Sequence, residues 1–306
     1  MTGQAKKLPS IPREGQVISI LSRAPEDPLQ RGHELMGVHR IWPVTKGKGA
    51  KVAIIDTGVD AGHPDLKGNI KQVKDFTVSR GKGKDAQGHG THVAGIIAAN
   101  GKLKGFAPEA ELYILKALGD DGAGQPEWIN NALKWCGNNG IHVANLSLGA
   151  EYDDPSLHEA VRYAYDKGVT LVCAAGNEGD NDPNTIEVNY PGFYDETISV
   201  AAIDYDKIHA DFSNQNDRLD VCAPGVNVVS TFPGERYVEL SGTSMATPAV
   251  TGCVALIYAF YLQEFKRIPA PEEVRGVLAL FSQDLGLPGK DREYGWGLFS
   301  FGADEK

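Results

Sequence analysis

Val52-Ala53-Ile54-Ile55-Asp56-Thr57-Gly58 opens the regular part of the chain: an apolar run, a carboxylate, then a Thr-Gly turn. A short continuous apolar run closed by turn residues reads as a strand buried on both faces. Residues 112–118, 143–147, 169–175 and 198–202 repeat the pattern. Between them lie helical patterns over 91–100, 127–138 and 156–167. The last places Leu157, Ala160, Val161 and Ala164 at helical spacing and stops at Lys167-Gly168. Continuous apolar strands alternating with helices predict an α/β fold of three layers, a mostly parallel central sheet with helices on both faces. No repeat at a fixed period competes with this reading. Such sheets carry their ligands at the carboxyl ends of the strands, which is where Asp56, Ser147-Leu148-Gly149 and Gly176-Asn177 fall.

Composition bounds the rest. The 306 residues carry 30 basic and 40 acidic side chains, a net charge of −10 that argues against nucleic acid as a partner. The longest charge-free stretch, 240–263, approaches the length of a membrane span. Ser241, Thr243, Ser244, Thr247, Pro248, Thr251 and Gly252 interrupt it, so a buried core helix is expected and no membrane partner. Pro9, Pro12, Arg13 and Glu14 break any apolar export segment near the start, and the four cysteines lack metal-type pairing. Reduced buried thiols and a cytoplasmic location follow. Residues 1–34, with Pro9, Pro12, Pro25 and Pro28 and no period, read as an N-terminal extension; 35–306 read as one domain.

Three segments carry chemistry. Asp56 stands at a strand end, positioned yet partly buried. Its Asp-Thr-Gly is also the signature of aspartic proteases, which need two such carboxylates sharing a proton. Only one occurs here, so that alternative requires a homodimer. In Gly88-His89-Gly90-Thr91-His92-Val93-Ala94-Gly95, the two histidines could share a helix face and hold a metal. No H-E-x-x-H pattern and no third ligand accompany them. The flanking glycines leave His89 accessible as a general base, whereas His92 lies within the helix and packs. In Ser241-Gly242-Thr243-Ser244-Met245-Ala246, Ser244 opens a long apolar helix, where free N–H groups and the dipole favour developing negative charge. Singly, these segments read as a turn Asp, a core His and a helix cap. Together they supply a hydroxyl nucleophile, an imidazole to take its proton and a carboxylate to fix the imidazole's tautomer. The chain order Asp, His, Ser and the absence of G-x-S-x-G exclude an α/β-hydrolase arrangement.

Ile54-Ile-Asp-Thr-Gly58, His89-Gly-Thr-His-Val-Ala-Gly95 and Gly242-Thr-Ser-Met-Ala246 resemble, almost letter for letter, the three signatures of the subtilisin-type serine proteases, the subtilases. The likeness runs from about residue 37 to residue 297. It implies the subtilisin-like fold and a serine endopeptidase acting on peptides and proteins, with Asp56, His89 and Ser244 as the triad. It assigns Asn177 as the oxyanion-hole side chain, acting with the backbone N–H of Ser244. It makes Ser147, Leu148 and Gly149, with Ala174, Ala175 and Gly176, the backbone walls that bind substrate as an added strand. It also sets Glu178 near the primary specificity pocket, favouring basic or polar side chains. With every catalytic position filled, a pseudo-protease used as a binding module is the weaker reading.

The chain departs from the family at three places. Thr247-Pro248-Ala249-Val250 replaces Ser-Pro-His-Val, and Ala150 replaces a second Gly after Gly149. The stretch 97–105 is shorter than the family's tight calcium loop and brings in Lys102 and Lys104, although Asp65 matches one of that site's carboxylates. A weaker calcium site, from carbonyls near 190–194 with Asp220, is the remaining metal expectation; none is required for the chemistry. The short extension and the charge make the chain most similar to the intracellular subtilisins. In those a Pro-containing tail lies across the active site until cleaved, a zymogen arrangement expected here of Leu8-Pro9-Ser10-Ile11-Pro12. The same relatives point to a homodimer.

Overall fold

The computed structural model describes residue 10 and residues 19–21, 29–182 and 184–302. Its strands are β1 (Ser19–Leu21), β2 (Lys51–Asp56), β3 (Ile70–Asp75), β4 (Glu111–Lys116), β5 (Val143–Leu146), β6 (Thr170–Ala174), β7 (Thr197–Ile203), β8 (Leu219–Pro224), β9 (Val228–Phe232), β10 (Arg236–Leu240), β11 (Ser282–Gln283) and β12 (Leu298–Phe299). The helices are α1 (Gln30–Leu35), α2 (Val38–Ile41), α3 (His89–Ala98), α4 (Pro126–Asn138), α5 (Pro155–Asp166), α6 (Thr243–Glu264) and α7 (Pro271–Leu280).

Nine strands form one sheet in the order β11-β12-β8-β7-β6-β5-β2-β4-β3, parallel except for the β11–β12 pair. Successive residues of β2 point to opposite faces, and both faces are buried. Val52 and Ile54 join the core cluster that includes α3 and α6, while Ala53 and Ile55 join the one that includes α4 and α5. This is why the strand carries no polar alternation. The expected three layers are therefore present, each read strand lying within a residue or two of its observed bounds. The charge-free stretch forms the core helix α6, 83% of whose apolar window is buried inside the protein.

Several elements escaped the pattern, β3 and the β9–β10 hairpin among them. β3 is the edge strand and reads Ile-Lys-Gln-Val-Lys-Asp, half exposed because only one of its sides has a neighbour. β9 and β10 form an antiparallel hairpin outside the main sheet, and β1 extends it by pairing with β10. Residues before the expected boundary at residue 35 also pack against the body. Leu29 and His33 are buried, the latter between Trp42 and Phe106.

Candidate active site

β2 ends at Asp56, and the end of β4 grips that corner. Ala117 N and Leu118 N both donate to the Asp56 carbonyl, at 2.9 and 3.1 Å. The fully buried Lys116 donates from Nζ to the Thr57 carbonyl at 2.5 Å and pairs with Asp120 at 3.0 Å. The Asp56 carboxylate is itself fully buried. Its Oδ1 accepts from Thr57 N at 2.7 Å and lies 2.8 Å from His89 Nδ1, with Oδ2 at 3.0 Å. An imidazole so placed carries its proton on Nδ1, donating to the carboxylate. Nε2 is thereby left as the basic lone pair, buried and without a hydrogen-bond partner among the described residues.

His89 is the first residue of α3, and the helix starts against the Asp56 corner. Only glycine at 90 permits this approach: a Cβ there would lie 2.2 Å from the Gly58 carbonyl oxygen. His92 is wholly buried one turn on, its Nε2 on the Val238 carbonyl at 3.1 Å; burial lowers its pKa to about 3 and keeps it neutral.

Ser244 sits in the first turn of α6, so its own N–H is one of the unpaired donors of the helix start. Pro248 lies four residues further on and has no N–H for the Ser244 carbonyl. The Ser147 hydroxyl takes that acceptor instead, at 2.9 Å, and Asn145 Nδ2 in turn donates to the Ser147 hydroxyl at 3.0 Å. The end of β5 is thus tied to the serine-bearing turn. The Ser244 hydroxyl donates to the Ser147 carbonyl at 3.3 Å.

Asn177 follows β6 by three residues. Its Oδ1 accepts from Thr243 N at 2.9 Å and from the Thr243 hydroxyl at 2.8 Å, which fixes the amide's orientation. Nδ2 then faces the side of Gly242. A Cβ built on Gly242, whose φ is +153°, would lie 3.1 Å from Asn177 Nδ2 and 3.7 Å from Ser244 N. Both nitrogens therefore lie beside Gly242, whose backbone conformation favours glycine.

The walls named from the sequence flank this point. Ser147, Leu148 and Gly149 follow β5; Ala174, Ala175 and Gly176 end and follow β6. Gly149 is already paired: its N and O exchange hydrogen bonds of 3.1 and 3.0 Å with Ser10 O and N, and Ser10 also bridges to Ala123. Glu178 Oε2 accepts from Asn177 N, Asn189 Nδ2 and Asn214 Nδ2 within 3.1 Å, so this carboxylate organises the wall.

At both expected metal ligands the carboxylate oxygens are taken up by protein donors. Asp65 is buried, and its oxygens accept from Lys102 N, Leu103 N and the Tyr237 hydroxyl at 2.8–3.0 Å. The shortened loop has folded its own N–H groups onto the carboxylate. Asp220 is bound by Arg275 through Nε at 2.9 Å and Nη2 at 3.0 Å, and by Ser199 N at 2.9 Å. Arg275 also donates to the carbonyls of Asp195 (2.7 Å) and Thr197 (2.5 Å), so a guanidinium fills the place expected for a cation. Neither carboxylate is left free to serve among the 6–8 oxygen ligands calcium needs. Among the described residues, no group of three or more His, Cys, Asp or Glu side chains could hold a metal ion.

Sequence reasoning did not single out Thr243, Thr57 or Asp85, which anchor the amide and the Asp56 corner. Only Asp85, four residues before His89 at a helix start, carried a readable signal, that of a capping carboxylate.

A sequence profile of the Subtilase family matches residues 47–297. The chain is 46% identical over 248 residues to the intracellular serine protease of Paenibacillus polymyxa, covering 78% of this chain and 76% of that protein. It is 42% identical over 283 residues to the major intracellular serine protease of Bacillus subtilis (strain 168), covering 90% and 86%. Subtilisin BL of Lederbergia lenta is 47% identical over 214 residues, 69% of this chain and 77% of that protein.

Proposed function

The chain belongs to the subtilase family and is a serine-type endopeptidase acting on peptides and proteins, and from that premise we propose how its residues divide the work. Ser244 is the nucleophile. Its Oγ turns from the Ser147 carbonyl toward His89 Nε2 when substrate binds, and Nε2 accepts the hydroxyl proton as Oγ bonds to the substrate carbonyl carbon. Asp56 keeps the Nδ1 proton in place and stabilises the imidazolium. Asn177 Nδ2 and Ser244 N donate to the oxyanion, which is where the charge develops. The tetrahedral intermediate collapses as His89 returns the proton to the leaving amine. Water, deprotonated by the same imidazole, then releases the acyl group from Ser244. All these roles fall to protein groups, so the acyl transfer asks for no metal.

The observation that carries this reading is the buried 2.8 Å contact between Asp56 and His89 Nδ1, which leaves Nε2 free. Its test is hydrolysis of a chromogenic tetrapeptide anilide. His89→Ala should lose at least 10³-fold in kcat; an active variant would show that another base does the work.

Ser147–Gly149 and Ala174–Gly176 bind the substrate backbone as an added strand. The two-way pairing of Ser10 with Gly149 supports this and supports an inhibitory role for the extension. Of Leu8-Pro9-Ser10-Ile11-Pro12, only Ser10 is among the described residues. Ser10 occupies this wall until the tail is cleaved. Removing residues 1–28 should raise turnover of a peptide substrate; unchanged turnover removes the inhibitory reading. The names of the two intracellular relatives support work in the cytoplasm. A homodimer is part of the same reading, supported by Phe265 and Phe281, 56% and 42% exposed at an apolar cavity of about 420 Å³. Sedimentation velocity at micromolar concentration decides between one copy and two.

A further inference from the structure

Asp85 is a carboxylate for which acyl transfer has no use, and only 2% of its surface is exposed. A buried carboxylate is tolerated only when donors take up its oxygens. Here they are taken up fully. Oδ1 accepts from the Thr57 hydroxyl at 2.9 Å, Gly88 N at 2.7 Å and Gln87 N at 3.2 Å. Oδ2 accepts from Thr91 N at 2.8 Å and the Thr91 hydroxyl at 2.6 Å.

These donors belong to the two segments that carry Asp56 and His89. Thr57 follows Asp56 at the end of β2; Gly88 and Thr91 bracket His89 at the start of α3. A second path closes the ring, because Gly90 N donates to the Thr57 hydroxyl at 2.9 Å. That hydroxyl therefore relays from helix to carboxylate, accepting one bond and donating the other. Asp56 and His89 stand 33 residues apart on separate elements, so nothing in the local chain sets their distance. The Asp85–Thr57 ring joins those elements directly, beside the pair itself.

We propose that Asp85, acting through the Thr57 hydroxyl, is the positioning residue of the active site: it sets the approach of Asp56 to His89 and so the rate of acyl transfer, without touching substrate. The proposal rests on the triad reading given above. Misplacing a catalytic group by about 1 Å costs on the order of 10²-fold in rate.

Two near-isosteric variants test it, Asp85→Asn and Thr57→Val. Each should lower kcat by about 10–100-fold with KM within about threefold, since the substrate walls are not altered. The rate of fluorophosphonate labelling at Ser244 should fall in parallel. The double variant should lose little more than the worse single one, as expected of groups acting as a unit. A lowered melting temperature with kcat per folded molecule unchanged would overturn the proposal, leaving Asp85 a stabilising residue only. Losses confined to KM would overturn it too. Should Asp85→Asn fail to fold, Thr57→Val leaves the carboxylate and its other four bonds in place and decides alone. A wild-type chain that does not label would instead sink the triad reading on which the clamp depends.

Discussion

Gly242→Ala asks whether the oxyanion is bound where Asn177 Nδ2 and Ser244 N converge. The added methyl would lie 3.1 Å from the first donor and 3.7 Å from the second. An oxyanion held by both lies about 2.7–3.1 Å from each. Carbon and oxygen keep about 3.3 Å or more between them, so an oxyanion bound on the Gly242 side of both donors competes with the methyl for volume. Losing one such donor in a subtilisin costs about 10²–10³ in kcat, on the order of 3–4 kcal/mol. A methyl that obstructs both donors should cost at least 10². KM should stay within about threefold, because the ground-state carbonyl does not need this space. The assay is steady-state hydrolysis of a peptide anilide beside a single-turnover measurement of acylation. Near-UV circular dichroism supplies the folded fraction, since position 242 holds a backbone region open essentially to glycine alone. Asn177→Ala should lose about 10²–10³ by itself, and the pair of substitutions should add less than the product of the singles. A folded Gly242→Ala enzyme within tenfold of wild-type kcat would refute the placement of the oxyanion.

Other consequences concern stability. Asp65→Ala strands the N–H groups of Lys102 and Leu103 and the buried Tyr237 hydroxyl, so a loss of about 3 kcal/mol in urea unfolding is expected, equal in calcium and in chelator; a loss larger in calcium than in chelator would restore Asp65 as a ligand. Arg275→Leu leaves Asp220 buried and unpaired at 3% exposure and should cost about 3 kcal/mol, with Arg275→Lys recovering part of it. Burial lowers the pKa of His33 to about 4 from 6.5. The unfolded chain therefore takes up the proton first as pH falls, and stability drops between pH 6.5 and 4 by roughly 1.4 kcal/mol per unit, about 3 kcal/mol in all. His33→Phe keeps the ring contacts with Trp42 and Phe106 and should flatten that limb by one proton; an unchanged slope would place the titration elsewhere.

Much of the fold was legible because strands such as β2 are buried on both faces and therefore stand out as unbroken apolar runs. β3 was not, since an edge strand alternates and imitates a loop. Asp56 and His89 were legible from their glycine-flanked settings, which are local. Their supports were not: Thr243 meets Asn177 across 66 residues, and the Thr57 hydroxyl meets Asp85 across 28. The partners of Asp65 and Asp220 were hidden for a related reason. A buried carboxylate announces that something must neutralise or solvate it, and a cation, a guanidinium or a set of N–H groups serves equally well. Arg275 stands 55 residues from Asp220, so spacing near Asp220 could not reveal it.

The central claim is that Ser244 is acylated with His89 as its base. Incubation with a fluorophosphonate followed by peptide mapping in a mass spectrometer tests it most directly. The account predicts a single adduct on Ser244, lost in Ser244→Ala and formed far more slowly in His89→Ala. An adduct on another residue, or one that survives Ser244→Ala, would contradict it.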